Sequence, residues 1–238
     1  MRRLQILGAI LVVVFLVGCT VQQIQNTLDD YLETDELTTD QVVAGLKEAL
    51  EKGAGSSTAS ASRTDGYLKN PKIRIPFPPD VQKVEDKLRD LGLGSEVDKF
   101  VTTLNRGAEE AAKEAKPIIV NAIKGMTVQD AWGILKGKDN AATEYLKAKT
   151  SNDLKTRFQP VIKRALDKTN ATKYYSDLVN TYNKIPFVDK VNPDLDDYAT
   201  ERALEGLFKL VAEEEKNIRD NPVARTTEIL KKVFSQQD

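Results

Sequence analysis

Tyr198-Ala199-Thr200-Glu201-Arg202-Ala203-Leu204-Glu205-Gly206-Leu207-Phe208-Lys209-Leu210-Val211 decides the fold class. Leu204, Leu207, Phe208 and Val211 recur at helical spacing, with charged residues between them, so this stretch reads as an amphipathic helix that buries one face. Working outward, Asn221-Pro222 caps and opens a last helix whose face is Val223, Ile229, Leu230, Val233 and Phe234. Towards the N-terminus, Tyr174, Tyr175, Leu178 and Tyr182 form one stripe, and Leu154, Phe158, Val161, Ile162, Ala165 and Leu166 another. Thr127 to Leu135 is a short capped helix carrying Trp132. Ser95, with Asp98 three positions on, caps a helix whose face runs from Val97 through Phe100, Val101, Leu104, Ala108, Ala111 and Ala115 to Ile119 and Ile123, kinked or split near Pro117. Val81, Val84, Leu88 and Leu91 make a stripe that ends at Gly92. Thr38-x-x-Gln41 is a capping-box start, followed by Val42, Val43, Leu46, Ala49 and Leu50 on one face. The expectation is a mainly α, bundle-like single domain over residues 38–238.

Two segments leave alternatives open. Gly53 to Ser62 is either a flexible linker or a continuation of the preceding helix with small residues that let a neighbour approach closely; continuation is favoured despite its Gly and Ser. Ile73-Arg74-Ile75-Pro76-Phe77-Pro78-Pro79 is extended, and its prolines permit only an edge strand or a polyproline stretch. Lys184-Ile185-Pro186-Phe187-Val188 echoes it, and the two Ile-Pro-Phe segments are a candidate short β-ribbon.

The N-terminus speaks to location. Met1-Arg2-Arg3 precedes an apolar run, Leu4 to Val17, then Gly18 and Cys19, the sole cysteine. This is the layout of a secretory signal, and the run is shorter than the roughly 17–25 residues a membrane-spanning helix needs. Leu16-Val17-Gly18-Cys19 resembles the lipobox of bacterial lipoproteins. The resemblance implies cleavage after Gly18, a diacylglyceryl group on the Cys19 thiol and a further acyl chain of the palmitate kind on its amine. Residues 1–18 are then a lipoprotein signal peptide and 19–37 a lipidated tether in which Ile24 to Tyr31 has the pattern of a short helix. Each buried methylene contributes about 0.8 kcal/mol, so two or three chains anchor the protein stably. Thr20 resembles the sorted pattern, which implies the outer membrane facing the periplasm; in a cell with a single membrane the protein would sit on the cell's outer face.

Composition narrows the chemistry. The mature chain from Cys19 carries a formal charge of −3, since Arg2 and Arg3 leave with the signal, and it has no long basic run, so nucleic acid is not an expected partner. The chain has no histidine. With Cys19 capped by lipid, Ser-His-Asp, Cys-His and HExxH chemistry and Cys/His zinc sites are all excluded. Gly92-x-Gly94 lacks the rest of either nucleotide fingerprint, and no cofactor motif is present.

Several stretches together resemble a family of bacterial envelope lipoproteins defined only as a domain of unknown function. They are Asp65-Gly66-Tyr67-Leu68 with Asn70-Pro71 and Ile73 to Pro76; Asn105-Arg106-Gly107-Ala108-Glu109; Met126-Thr127 with Asp130-Ala131; Ala141-Ala142-Thr143 with Tyr145; Asp194-Leu195-Asp196; Thr200 to Phe208; and Pro222 to Thr227 running on to Phe234. Coverage runs from about residue 40 to the C-terminus. The resemblance implies one helix-rich domain and an envelope location. It supplies no catalytic residue and no substrate.

Candidate site residues each have a plainer reading. Asp194, Asp196 and Asp197 offer oxygens to a calcium ion, yet the spacing and glycine of an EF-hand are missing and acids suit a helix start equally well. Arg202 and Arg225 are ligand candidates because a guanidinium grips carboxylate or phosphate; pairing with Glu201, Glu205 or Glu228 is the structural alternative. Glu213, Glu214, Glu215 and Lys216 read as a solvated helix end. Tyr174, Tyr175, Tyr182 and Trp132 either line a ligand cleft or are core.

The reading is a membrane-anchored envelope lipoprotein acting as a non-enzymatic binding or scaffold module towards an envelope protein or polymer. The first alternative is a carrier holding a lipid or other apolar ligand between its helices. The second is a hydrolase using Asp and Glu alone, for which no pair stands out.

Overall fold

Each helix expected beyond residue 38 is present in the computed structural model, which describes residues 38–184, 186–187, 190–225 and 227–235. The signal, Gly18, Cys19 and the Ile24 to Tyr31 segment lie outside the described residues. The helices are α1 (Thr39–Ser62), α2 (Gln82–Asp90), α3 (Gly94–Ala112), α4 (Ala115–Lys124), α5 (Val128–Leu135), α6 (Ala141–Asp167), α7 (Ala171–Tyr182), α8 (Leu195–Asp220) and α9 (Glu228–Ser235). Local chemistry sets several of their ends. Thr38 and Gln41 close a reciprocal capping box at α1, with the Thr38 hydroxyl accepting from the Gln41 N–H at 3.2 Å and the Gln41 side chain accepting from the Thr38 N–H at 3.0 Å. Thr127 and Asp130 do the same for α5. No helix of the described residues is long and apolar enough to cross a membrane.

One α-helical layer wraps a continuous apolar core. α6 packs along both α3 and α8, and α1 packs along α8, α4 and α9. The small residues of α1 permit this. A Cβ on Gly45 would come within 2.9 Å of Val233, so α9 crosses α1 at close range. Gly53, Ala54, Ser57, Thr58 and Ala61 are all buried on α1, and the two hydroxyls donate back to Gly53 O and Ala54 O at 2.8 Å each. Gly53 to Ser62 is therefore helix, with small side chains turned to its neighbours.

α1 and α8 run antiparallel, which fixes two ends of the bundle. The Ser56 hydroxyl donates to Glu214, Tyr67 sits against Gly206, and the Tyr198 hydroxyl reaches Pro76 O. Thr39 and Pro76 therefore stand at opposite ends, about 40–50 Å apart at 1.5 Å per helical residue.

The structure corrects several expectations. Among the described residues the Ile-Pro-Phe segments form no ribbon and no strand occurs. Ile75 instead pairs its backbone with a side chain: its N–H donates to Asn105 Oδ1 and its carbonyl accepts from Asn105 Nδ2, both at 2.8 Å. One buried amide thus does the work of a neighbouring strand. In the second segment Phe187 lies in a turn with φ +66°, fully exposed, while Ile185 and Val188 lie outside the described residues. Leu93, rather than Ser95, is the residue before α3, and Ser95 falls within the first turn. The split near Pro117 comes at Lys113 and Glu114, so that Pro117 sits in the first turn of α4, where its missing N–H costs little. Tyr174 points outward, and the buried face of α7 is Ala171, Tyr175 and Val179. Asn221 caps a separate turn, Pro222–Ala224, which leaves Val223 exposed rather than on the α9 face.

Candidate functional site

Three of the stretches that carry the family resemblance, those around Tyr67, Glu109 and Gly206, meet in the middle of the bundle. Glu109 is buried on α3, and its Oε1 accepts the N–H groups of Tyr67 and Leu68 at 3.1 and 3.2 Å. Its Oε2 takes Arg106 at 2.6 Å, and Arg106 also holds Asp65 at 2.6 Å. Bonds from Lys69 and then Arg106 hold the Asp65 carboxyl below its usual range. Tyr67 is fully buried and donates to Ala203 O at 2.6 Å. Burial, then the Glu109 charge, push its phenol well above the usual value, so it stays protonated. Gly206 is what admits the ring, since a Cβ there would stand 2.8 Å from Tyr67 Cε1. Gly66 is equally constrained, because its Cβ would fall 2.4 Å from Ser60 O. The cluster fastens the 63–79 loop to α3 and α8, and these bonds hold its polar groups in place.

A second buried carboxylate corrects another expectation. Glu215 is no solvated residue: it accepts the N–H groups of Ala142 and Thr143 at 3.0 and 2.8 Å, capping the start of α6 from a neighbouring helix. Arg219 bonds Glu215 at 3.0 Å and Ile134 O at the end of α5. Arg225 is buried, donates to Ile218 O and Arg219 O at the end of α8, and stacks over Phe234. Its guanidinium closes a helix C-terminus, a use that an expected pairing with an acid did not include.

The other candidates are tied up on α8. Arg202 pairs with Glu205 at 3.0 Å, the structural alternative. Asp197 bridges to Lys155 at 2.7 Å, Asp196 accepts from Gln159 at 3.3 Å, and Asp194 is the residue before the helix. Two of the three carboxylates thus bind α6 side chains. Among the described residues no group of three His, Cys, Asp or Glu is placed to hold a metal ion.

An apolar trough opens at the Pro76 end of the bundle, with a volume of about 730 Å³. α3 supplies its floor through Val97 and Phe100, α2 one wall through Val84 and Leu88, and α7 the other through Ala171 and Tyr175. Phe77 closes one side, its ring 5.0 Å from that of Phe100 and tilted 45°. Polar side chains lie at the edge: Glu96 and Lys99, paired at 2.8 Å, with Thr103 and Thr169. The mouth is apolar as well. Leu93 and Tyr174 are 44 % and 69 % exposed, and Leu91, two residues before Leu93, is 63 % exposed. Of the expected aromatic cleft, Tyr174 and Tyr175 are here. Trp132 is on α5 under Lys136, and the side chain of Tyr182 lies outside what is described. A second depression between α4 and α6 is charged with both signs (Glu114, Asp153, Arg157 and Arg164) and exposed to solvent.

Residues 36–235 match the family described as a protein of unknown function, DUF4197. The chain belongs to that family. No curated protein and no solved structure matches it significantly. Sequence reasoning about this DUF4197 domain named the stretches around Tyr67, Glu109 and Gly206 without giving them a role. It missed Glu215, although its register was legible: Glu215 is four residues past Val211 and eight past Leu207, on the apolar face of α8. The trough had only a partial signal, since Val84 and Leu88 read as ordinary core.

Proposed function

We propose that this DUF4197 protein is a membrane-anchored envelope lipoprotein, held by lipidated Cys19, whose helical domain works by binding through the apolar trough. One observation carries the binding reading. The trough combines a volume in the roughly 300–1,000 Å³ range of ligand sites with an apolar lining and exposed leucines at its mouth. The buried acids and arginines support it from the other side, because they hold helix ends and loop N–H groups in place. The lining favours an apolar ligand, as a carrier would require. The exposed mouth suits docking onto a larger partner.

The anchor reading predicts that Cys19→Ser abolishes lipidation and releases the protein from the envelope's outer membrane into the soluble periplasmic fraction. A variant that stays membrane-bound with normal processing sinks it. The binding reading predicts that Thr103→Trp, which pushes a bulky ring into the trough from its edge, abolishes ligand capture while the domain stays folded. Undiminished capture by that variant would send the search to another surface.

A further inference from the structure

We propose that the trough takes up one acyl chain of a glycerophospholipid from the bilayer that holds Cys19, with Leu91 and Leu93 as the lip that meets that bilayer. The inference rests on the anchored binding-module reading and names its ligand.

Three observations carry it. The first is the division of polarity. The floor and walls are hydrocarbon and aromatic, while Lys99, Glu96 and Thr103 stand only at the edge. A chain laid on Phe100 and Val97 leaves its polar headgroup at that edge, in water. The second is the mouth. Leu91-Gly92-Leu93-Gly94 is a tight turn, with Gly92 at φ +82°, and it holds Leu93 at the opening and a second exposed leucine, Leu91, two residues before it. A pocket fed from water gains nothing from such a lip, whereas one fed from a membrane presents apolar surface to apolar surface. The α2 wall carries this turn at one end and Pro78-Pro79 at the other, and it packs chiefly on α3 and the Pro79–Val81 turn. The third is reach. The trough is at the end of the bundle opposite Thr39, about 40–50 Å away. The 19 residues from Cys19 to Leu37 span up to about 65 Å when extended. That exceeds the length of the domain, so the trough can lie on the membrane that anchors it.

The test uses bacteria making the full chain and fed a diazirine-bearing fatty acid that enters their phospholipids. After irradiation, adducts are mapped by peptide mass. The expected result is adducts of phospholipid mass on peptides of α2, the first turns of α3, and α7. Leu93→Asp should lower their yield about tenfold, the effect of setting a charge at one end of an apolar site. Leu93 precedes α3, where Asp is a preferred cap, so this variant should keep its melting curve. Thr103→Trp should abolish the adducts independently. Adducts spread evenly over the surface, or indifferent to both variants, overturn the inference. So does a crosslink to the Cys19 peptide, which would make the chain's own anchor the occupant, or a protein adduct in place of lipid. Fractionation of the Cys19→Ser chain in the same cells reads the anchor separately. If that chain stays on the membrane, the lipidation reading fails whatever the trough binds. If it is released while the wild type shows no trough adduct, the acyl-chain inference alone fails.

Discussion

The centre of the bundle and the end that carries the trough are built on opposite terms. At the centre, Asp65, Arg106, Glu109 and Tyr67 are matched bond for bond, and a loop without regular structure is held by side chains from two helices. At the trough end, three helices turn apolar side chains towards a space that no described residue fills; Leu93 stands half-exposed at its mouth, and Leu91, two residues earlier, stands in solvent. The charged residues that first attract attention as chemistry are the ones committed to holding the chain together. The surface with unsatisfied interactions is hydrocarbon. The difference teaches that, in this domain, charge marks architecture, while the exposed apolar area is the surface left without an architectural use, which is where the proposed binding is placed.

The comparison breaks first at Glu109. Glu109→Ala leaves the buried Tyr67 N–H, the part-buried Leu68 N–H and a partly buried Arg106 without their acceptor and should cost on the order of 3 kcal/mol. Urea unfolding reads this, and a loss under about 1 kcal/mol would mean that the cluster is no lock. Next comes Gly206→Ala, whose new methyl meets Tyr67 Cε1 at 2.8 Å and Ile73 Cβ at 3.1 Å. Overpacking of that kind costs about 1–3 kcal/mol, visible as a lower Tm. An unchanged Tm would show that the loop yields freely.

Acid sharpens the contrast. The Asp65 carboxyl is held below the ordinary Asp range in the fold because Lys69 and Arg106 bind its charged form. Its contribution is therefore fully present above about pH 4 and is lost as the pH falls through the depressed folded value. Asp65→Asn keeps a residue that tolerates the φ of +64° at this position. It should be less stable than wild type near neutrality, with the gap closing in acid. A gap independent of pH would remove the ion pairs from the account. The smallest effect on stability belongs to Leu93→Asp, within about 0.5 kcal/mol by denaturant titration. A large loss there would make the lip part of the core.

Much of the helical architecture was legible because it rests on local pattern. Thr38 and Gln41, Thr127 and Asp130, and the α8 stripe announce themselves within a few residues. What stayed hidden depends on distant partners. Asn105 lies thirty positions from Ile75, so an extended run with the look of a strand could not reveal that a side-chain amide would satisfy it. Glu215 sat among three consecutive glutamates, and composition outweighed register. Arg225 was singled out for its type, yet its use, closing the end of α8, follows from how α9 folds back. The trough was hardest of all. Apolar residues facing a space give the same period as apolar residues facing a neighbour, and only the arrangement of α2, α3 and α7 tells them apart.

The central claim is that the trough, and not the charged cluster, is the binding site. Native mass spectrometry of the chain taken from the cells that make it, wild type beside Leu93→Asp, tests it most directly. The account predicts a non-covalent apolar mass on the wild type that is lost on denaturation and absent from Leu93→Asp. A bare wild-type protein, or an adduct that Leu93→Asp retains in full, would contradict it.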